Sequence, residues 1–249
     1  MYKKIEEVQL NSMEDFEEAI LNNNYDYFRG QSNSKWFLNS TILRGQKEDI
    51  DQMRLKELVS GYKERYDKVI SNSKKHTFSR FLFYIQHSIS FSPFIDLTKN
   101  PWIAISFILQ NFQEQNDKNI ETPAALYAIK LHDNKEDNPI ILSTHTKIEE
   151  VLDRLNMSVS KLNNIESFII EPSDLSILND RMQYQQGAFL LLENDSLNQQ
   201  SKYNQTSMTI IKYVLSVQLL EKLSLRLRKE YPHFTIDYLL DPYKFLEKL

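Results

Sequence analysis

Only four glycines occur in the 249 residues, Gly30, Gly45, Gly61 and Gly187, and none are clustered. Phosphate-cradling loops need closely spaced glycines so that several backbone N–H groups can converge. Neither a P-loop nor a dinucleotide fingerprint is therefore present. A nucleophile elbow is absent as well, since no serine sits between two glycines at the required distance. In a chain this poor in glycine, the one in Phe28-Arg29-Gly30 asks for a reason, because an apolar strand is expected to end there.

Cysteine is absent, which removes disulfides, thiol nucleophiles and cysteine-ligated zinc together. The five histidines, His76, His87, His132, His145 and His233, form no pair at metal-ligand spacing, so no metal site is expected. His87 ends an apolar helical stretch and reads as a buried, hydrogen-bonded side chain. A net charge of −4 and a pI near 5.8 argue against general nucleic-acid binding, which needs a basic face. Hydrophobic residues at 41% and aromatics at 12% suffice for a sizeable core. The N-terminal MYKKIEEVQLNS turns acidic before any apolar run develops, unlike a signal peptide. No window approaches the roughly 18 apolar residues of a membrane span. A cytoplasmic protein without membrane attachment is expected.

Ser12-Met13-Glu14-Asp15 resembles a capping box, and Met13, Phe16 and Ile20 follow at helical spacing, stopped by Asn22-Asn23-Asn24. Tyr25 to Phe28 alternates like a short strand. Residues 48–71 carry an amphipathic helix with a highly charged outer face, a candidate surface for a protein partner. Residues 77–87 read as a second, more apolar helix. Strands are expected over Phe91–Leu97, Ala124–Leu131, Ser167–Ile170, Gln186–Leu192 and Met208–Leu215. Helices are expected from Asn100-Pro101, over 146–155, over Gln218–Lys229 and from Asp241-Pro242. His132 to Asn138 reads as a polar loop, and the polar stretch 194–206 as a hairpin loop rather than a boundary. Helices dominate the first half and strands the second. The expectation is one α+β domain over residues 1–249, with its motifs at about 25–192 and a closing strand and helices at 207–249.

Three constellations could carry chemistry. In Phe28-Arg29-Gly30-Gln31, with Trp36 and Arg44 downstream, an arginine at a strand end offers a planar fork suited to carboxylate or phosphate. The plainer alternative is that Arg29 pairs with a buried carboxylate such as Asp96 and holds the fold. In Asp96-Leu97-Thr98-Lys99-Asn100-Pro101, a strand delivers Asp96 and Thr98 directly before a helix N-terminus, where anions are favoured. Capping by Asn100 and Thr98 is the alternative there. In Arg181-Met182-Gln183-Tyr184-Gln185-Gln186-Gly187, Gln185 can donate and accept hydrogen bonds but cannot act as a general base. A β-bulge at Gly187 would explain the same residues. Trp36 and Phe107 sit at apolar positions and are expected in the core.

Phe28-Arg29-Gly30-Gln31, Trp36-x-Leu38 and Arg44 resemble the opening signature of the FRG domain family, which is named for that tripeptide. Gln86 and His87 match the start of the family's second motif, and Asp96, Thr98, Asn100, Pro101, Ala104 and Phe107 match its end. The closing motif is matched by Arg181, Gln185, Gly187 and Phe189. Ser88 to Pro93 and Leu97 depart from the family pattern, losing a glycine and an arginine. The three-motif layout is, more distantly, similar to the ADP-ribosyltransferase fold, whose sheet is mixed and split. That resemblance implies Arg29 at the position that holds NAD, Asp96 and Thr98 in place of a Ser-Thr-Ser strand end, and Gln185 at the catalytic carboxylate. It also implies a ligand-binding set of Arg29, Gly30, Gln31, Arg44, Asp96, Thr98 and Arg181, with NAD as cofactor and no metal.

Three functions compete on these grounds. One is ADP-ribosyl transfer or NAD hydrolysis, in the setting of an intracellular toxin or phage-defence effector. Another is a cleft that binds a nucleotide-like small molecule or a nucleic-acid end without turnover. The third is a protein-interaction domain acting through residues 48–71. Gln185 favours the second over the first, because an oxocarbenium-like transition state calls for a carboxylate.

Overall fold

The computed structural model describes residues 5–40, 61, 64, 94–113, 122–132, 140–143, 168–171, 184–191 and 208–240. Its strands are β1 (Glu6–Leu10), β2 (Tyr27–Gln31), β3 (Phe94–Thr98), β4 (Ala124–Leu131), β5 (Ile140–Ser143), β6 (Phe168–Glu171), β7 (Gly187–Leu191) and β8 (Met208–Leu215). Its helices are α1 (Met13–Phe16, continued as a π-turn over Glu17–Leu21), α2 (Pro101–Gln113), α3 (Val217–Glu230) and α4 (Ile236–Leu240).

Ala-Ala-Leu-Tyr-Ala-Ile in β4 is apolar without alternation, the pattern of a strand covered on both faces. All six residues are buried, and β4 lies inside an eight-stranded sheet of order β1-β8-β4-β2-β3-β7-β6-β5. The sheet is mixed. Parallel pairs, β1 with β8 and β5 with β6, close its two edges, and every other pairing is antiparallel. β2 pairs with β4 along five residues but meets β3 at one position, Phe28 opposite Thr98. The sheet therefore consists of two four-stranded halves joined by a single residue pair. This is an α+β arrangement.

On one face, Phe28, Leu126, Ala128, Tyr213 and Leu215 pack under α1, α2 and α3 with Phe16, Ile105, Ile108, Leu219, Leu223 and Leu227. The opposite face carries Tyr27, Ile95, Leu97, Tyr127, Ile129, Ala188 and Leu190, joined by Leu38. The two sets alternate along β2 and β4, as side chains on a pleated strand must.

Gly30 sits within β2, paired with Leu126, rather than at a strand end as the sequence suggested. Its role is set by α2. A Cβ at position 30 would lie 2.1 Å from the Ala104 carbonyl oxygen and 2.8 Å from Ile108 Cγ1. The helix backbone rests directly on the strand, and only glycine leaves room for it. The sequence-based picture, in which the glycine admitted a ligand, is replaced here by helix–strand packing.

The capping box at α1 is complete. Asp15 N donates to Ser12 Oγ at 3.0 Å, and the Asp15 carboxylate accepts from Ser12 N at 3.0 Å and Asn11 N at 3.1 Å. The bond from Asn11 N, followed by those from Ser12, holds the Asp15 carboxyl below its ordinary value of 3.8. Ser216 caps α3 through its hydroxyl, which accepts from Leu219 N. Arg226 on α3 ties that helix to Glu17 of α1 and to Glu230 in its own last turn. It also lies over the Trp102 ring at 5.5 Å.

Strands β4 and β8 have the expected bounds, and α3 starts one residue earlier and ends one later than expected. β3, β6 and β7 shift by one to three residues. β1, β5 and α4 carried no recognised signal. Gly61 and Glu64 are helical, within the amphipathic span expected at 48–71. The rest of that span, the helices expected at 77–87 and 146–155, the loop at 194–206 and the helix expected from Asp241 lie outside the described residues. No helix among the described residues is long and apolar enough to cross a membrane.

Two outcomes follow. Gly30→Ala should lower stability by about 1–3 kcal/mol or more, because the atom in the way is backbone and cannot swing aside. A thermal melt of the variant measures this, at roughly 2–4 °C per kcal/mol for a chain of this size. The depressed Asp15 pKa stabilises the fold above its ordinary value, and that contribution disappears as pH falls through the folded value. The stability difference between the wild type and Asp15→Asn should be full at neutral pH and shrink below about pH 3.8 in denaturant titrations.

Candidate functional site

Across β2, β3 and β7 one row of partners runs Phe28, Thr98, Gly187. Arg29 lies on one side of this row and Gln185 on the other. The Arg29 Nη1 donates to the Asp96 carbonyl oxygen at 2.9 Å and reaches the Asp96 carboxylate at 3.4 Å. It does so where β2 has already left β3, so the guanidinium fills the fork between the two halves of the sheet. The Arg29 Nε is buried with no hydrogen-bond partner among the described residues. On a guanidinium, Nε–H and one Nη group form a side-on pair of donors matched to two oxygens of a carboxylate or phosphate.

Asp96 is not the buried carboxylate that a purely structural Arg29 would need. Its side chain is 58% exposed, whereas that of Arg29 is 21% exposed. An ion pair so open to water contributes little to stability.

Thr98 is 3% exposed, and its hydroxyl is fully engaged. It donates to the Gln185 carbonyl at 2.8 Å and accepts from Asn100 N at 3.2 Å. Asn100 caps α2, its side-chain oxygen accepting from Trp102 N at 2.9 Å. The capping explanation thus holds for this motif, and Thr98 joins the end of β3 to the turn before β7. In that turn Gln186 has φ 46°, making it the one non-glycine residue with positive φ among the described residues. The strained position is therefore Gln186, not Gly187, and such strain is held in place only by its surroundings. Gln186 O accepts from Lys99 N at 3.2 Å. The side-chain nitrogen of Gln185, like Arg29 Nε, is buried without a partner among the described residues.

Gln31 points to the same face as Arg29, two residues along β2. It is buried, donates to the Phe37 carbonyl at 2.9 Å and leaves its Oε1 without a partner among the described residues. Tyr127, opposite Arg29 on β4, donates to the Trp36 carbonyl at 3.0 Å. Burial is the main cause raising the Tyr127 phenol, which stays protonated and keeps donating. Lys99 Nζ sits 5.9 Å from the Tyr27 ring on this face. Nothing in the residue pattern marked Tyr127, whose place depends on strand pairing. Lys99 could have been noticed as the cation next to Thr98.

Trp36 is not in the core. It is 46% exposed, because the turn at Asn33–Trp36 fixes the backbone and Leu38 is the residue turned inward. Phe107 is partly buried, and Trp102, stacked on Tyr231 at 4.6 Å, takes the deeper position on α2. Arg44, Gln86, His87 and Arg181 lie outside the described residues. Among the described residues no group of three or more histidine or carboxylate side chains could hold a metal ion.

Fold and site define an α+β protein with a divided mixed sheet and an arginine in the fork between its halves. The family model described as the FRG domain matches residues 24–117, so the chain carries an FRG domain over that range. The matched range takes in the Phe28-Arg29-Gly30 and Asp96-to-Pro101 motifs and ends before Gln185. No match was found among curated proteins or among solved structures.

Two substitutions separate the two contacts. Thr98→Val leaves a part-buried carbonyl and a part-buried N–H without their partner, which costs about 1–3 kcal/mol. Arg29→Ala removes an ion pair open to water and one exposed hydrogen bond to the Asp96 carbonyl, together worth about 1 kcal/mol. Thermal melts should show the larger fall for Thr98→Val; the opposite order would make Arg29 the structural residue.

Proposed function

We propose that the fork between β2 and β3 binds a nucleotide of the NAD or ADP-ribose class, with Arg29 as its anion-binding group. The observation that carries this reading is the guanidinium itself, held through Nη1 while Nε lies buried with no partner among the described residues. A buried donor left unmet costs stability, and a phosphate oxygen would satisfy it. Asp96 orients the guanidinium, Thr98 sets the distance between β3 and the Gln185 turn, and Gly30 lets α2 brace the strand. Gln31, Arg44 and Arg181 complete the proposed ligand-binding set. The protein acts in the cytoplasm, where NAD is available, and an effector role in toxicity or phage defence fits such a cleft.

Two readings of its chemistry follow. If the layout works as in ADP-ribosyltransferases, Gln185 stands where the carboxylate assists departure of nicotinamide. The second reading, binding without turnover, is favoured by Gln185 itself. An amide can position a ribose hydroxyl but cannot carry the negative charge that stabilises an oxocarbenium-like centre.

Calorimetric titration with ADP-ribose and NAD should give saturable binding that Arg29→Ala abolishes while the melting temperature stays near that of the wild type. Gln185→Glu then separates the readings. Nicotinamide release from NAD rising in this variant supports a degenerate transferase, whereas weaker binding with no turnover supports a binding module. Absence of binding by the wild type sinks the proposal.

A further inference from the structure

The segment from Asn33 to Asn39 is held by backbone hydrogen bonds, two within itself and one to the residue before β4. Ser34 N donates to the Pro123 carbonyl at 2.9 Å, Trp36 N to the Asn33 carbonyl at 3.1 Å, and Asn39 N to the Phe37 carbonyl at 2.9 Å. The Asn33 side chain accepts from Lys35 N at 2.9 Å. Two sheet side chains then reach up to it, Tyr127 to the Trp36 carbonyl and Gln31 to the Phe37 carbonyl. Leu38, 2% exposed, is driven into the core like a peg.

A loop held this firmly still leaves its two largest apolar side chains outside, Trp36 at 46% and Phe37 at 49% exposure. Single exposed apolar residues are ordinary, but two adjacent aromatics on a fixed backbone form a ready contact surface. Their holders identify where that surface lies. Tyr127 is the β4 partner of Arg29, and Gln31 is two residues from Arg29 on the same face of β2. The backbone that carries the aromatic pair is thus anchored by two residues that neighbour Arg29 in the sheet, and Arg29 Nε has no hydrogen-bond partner among the described residues. A ligand that presents an anion to Arg29 and a flat ring to the loop held by its neighbours fits both features.

From this juxtaposition we infer that Trp36 and Phe37 form the stacking platform for the base of the nucleotide whose phosphate engages Arg29. The inference rests on the nucleotide cleft proposed above and adds the element that would tell a nucleotide from a bare sugar phosphate. Stacking on an aromatic side chain tolerates any base but requires one. Rigid tethering of the loop lowers the ordering cost that a mobile platform would incur on binding.

The test compares ADP-ribose with ribose 5-phosphate, which lacks the base, by calorimetric titration of the wild type, Arg29→Ala and the double variant Trp36→Leu/Phe37→Leu. Acrylamide quenching supplies a second readout. The chain has two tryptophans, and Trp102 is buried, so the quenchable emission comes from Trp36. The platform predicts that ADP-ribose, but not ribose 5-phosphate, shields Trp36 from acrylamide. It also predicts that the double variant loses about 10-fold or more in affinity for ADP-ribose. The same variant should keep its ribose 5-phosphate affinity and melting temperature. If ADP-ribose binds in an Arg29-dependent way while the double variant and the quenching are unaffected, the platform is overturned and the cleft stands. If the wild type binds neither compound, the cleft reading fails and the platform falls with it.

Discussion

The contact between the Ala104 carbonyl and Gly30 governs the rest of the arrangement. Because α2 lies against the backbone of β2, the helix that leaves β3 must fold straight back over the neighbouring strand. That return holds Phe28 opposite Thr98, the single pair that joins the two halves of the sheet. Ala124 and Ala128 on β4 keep the adjoining surface low, so that α2 and α3 share one apolar layer with Phe16 and Ile20. A side chain at position 30 would lift α2 and loosen the cap at Asn100, the Thr98 bridge and the fork that Arg29 fills. The glycine therefore serves the site from behind. It supports the strand on which Arg29 is mounted, on the face opposite to the guanidinium.

A divided sheet also explains why Arg29 is left with donors to spare. In a continuous ladder the Asp96 carbonyl would accept from a β2 amide, and a side chain at this place would only cover the bond. Where the strands part, the carbonyl takes Arg29 Nη1 instead, and the guanidinium is drawn edgewise into the fork. The exposed Asp96 carboxylate adds orientation more than energy.

Much of this was legible in the sequence. The apolar run of β4, the capping box at Ser12 and the Asn100-Pro101 helix start depend on local chemistry, and each stands where the residues put it. The Phe28-Arg29-Gly30 signature pointed to the FRG domain through residue identity alone. Elements that depend on partners were not legible. β1 reads as Glu-Glu-Val-Gln-Leu, too polar to announce a strand, and it exists because β8 offers an edge. Gly30 looked like a strand terminus because neither α2 nor β4 is visible from its neighbours. Trp36 looked like core because composition cannot show that Leu38 would take the inward position. The meeting of Arg29 with Asp96 was stated as an alternative, but the exposure of that carboxylate is a property of the assembled sheet.

The parallel pairing of β1 with β8 has a bearing on how the chain reaches this state. Lys212 on β8 bonds Glu7 on β1 at 2.8 Å across a separation of 205 positions. Loop-closure entropy must be met before such a contact returns any free energy, so pairings of this span form late and slow the folding of the whole. During synthesis the residues of β1 emerge early and have no strand to join until β8 leaves the ribosome. Glu6 and Glu7 keep that waiting segment charged, which discourages it from pairing with strands of other chains in the interval. The same polarity that hid β1 from a reading of the sequence thus guards the chain against misassembly while the sheet is incomplete.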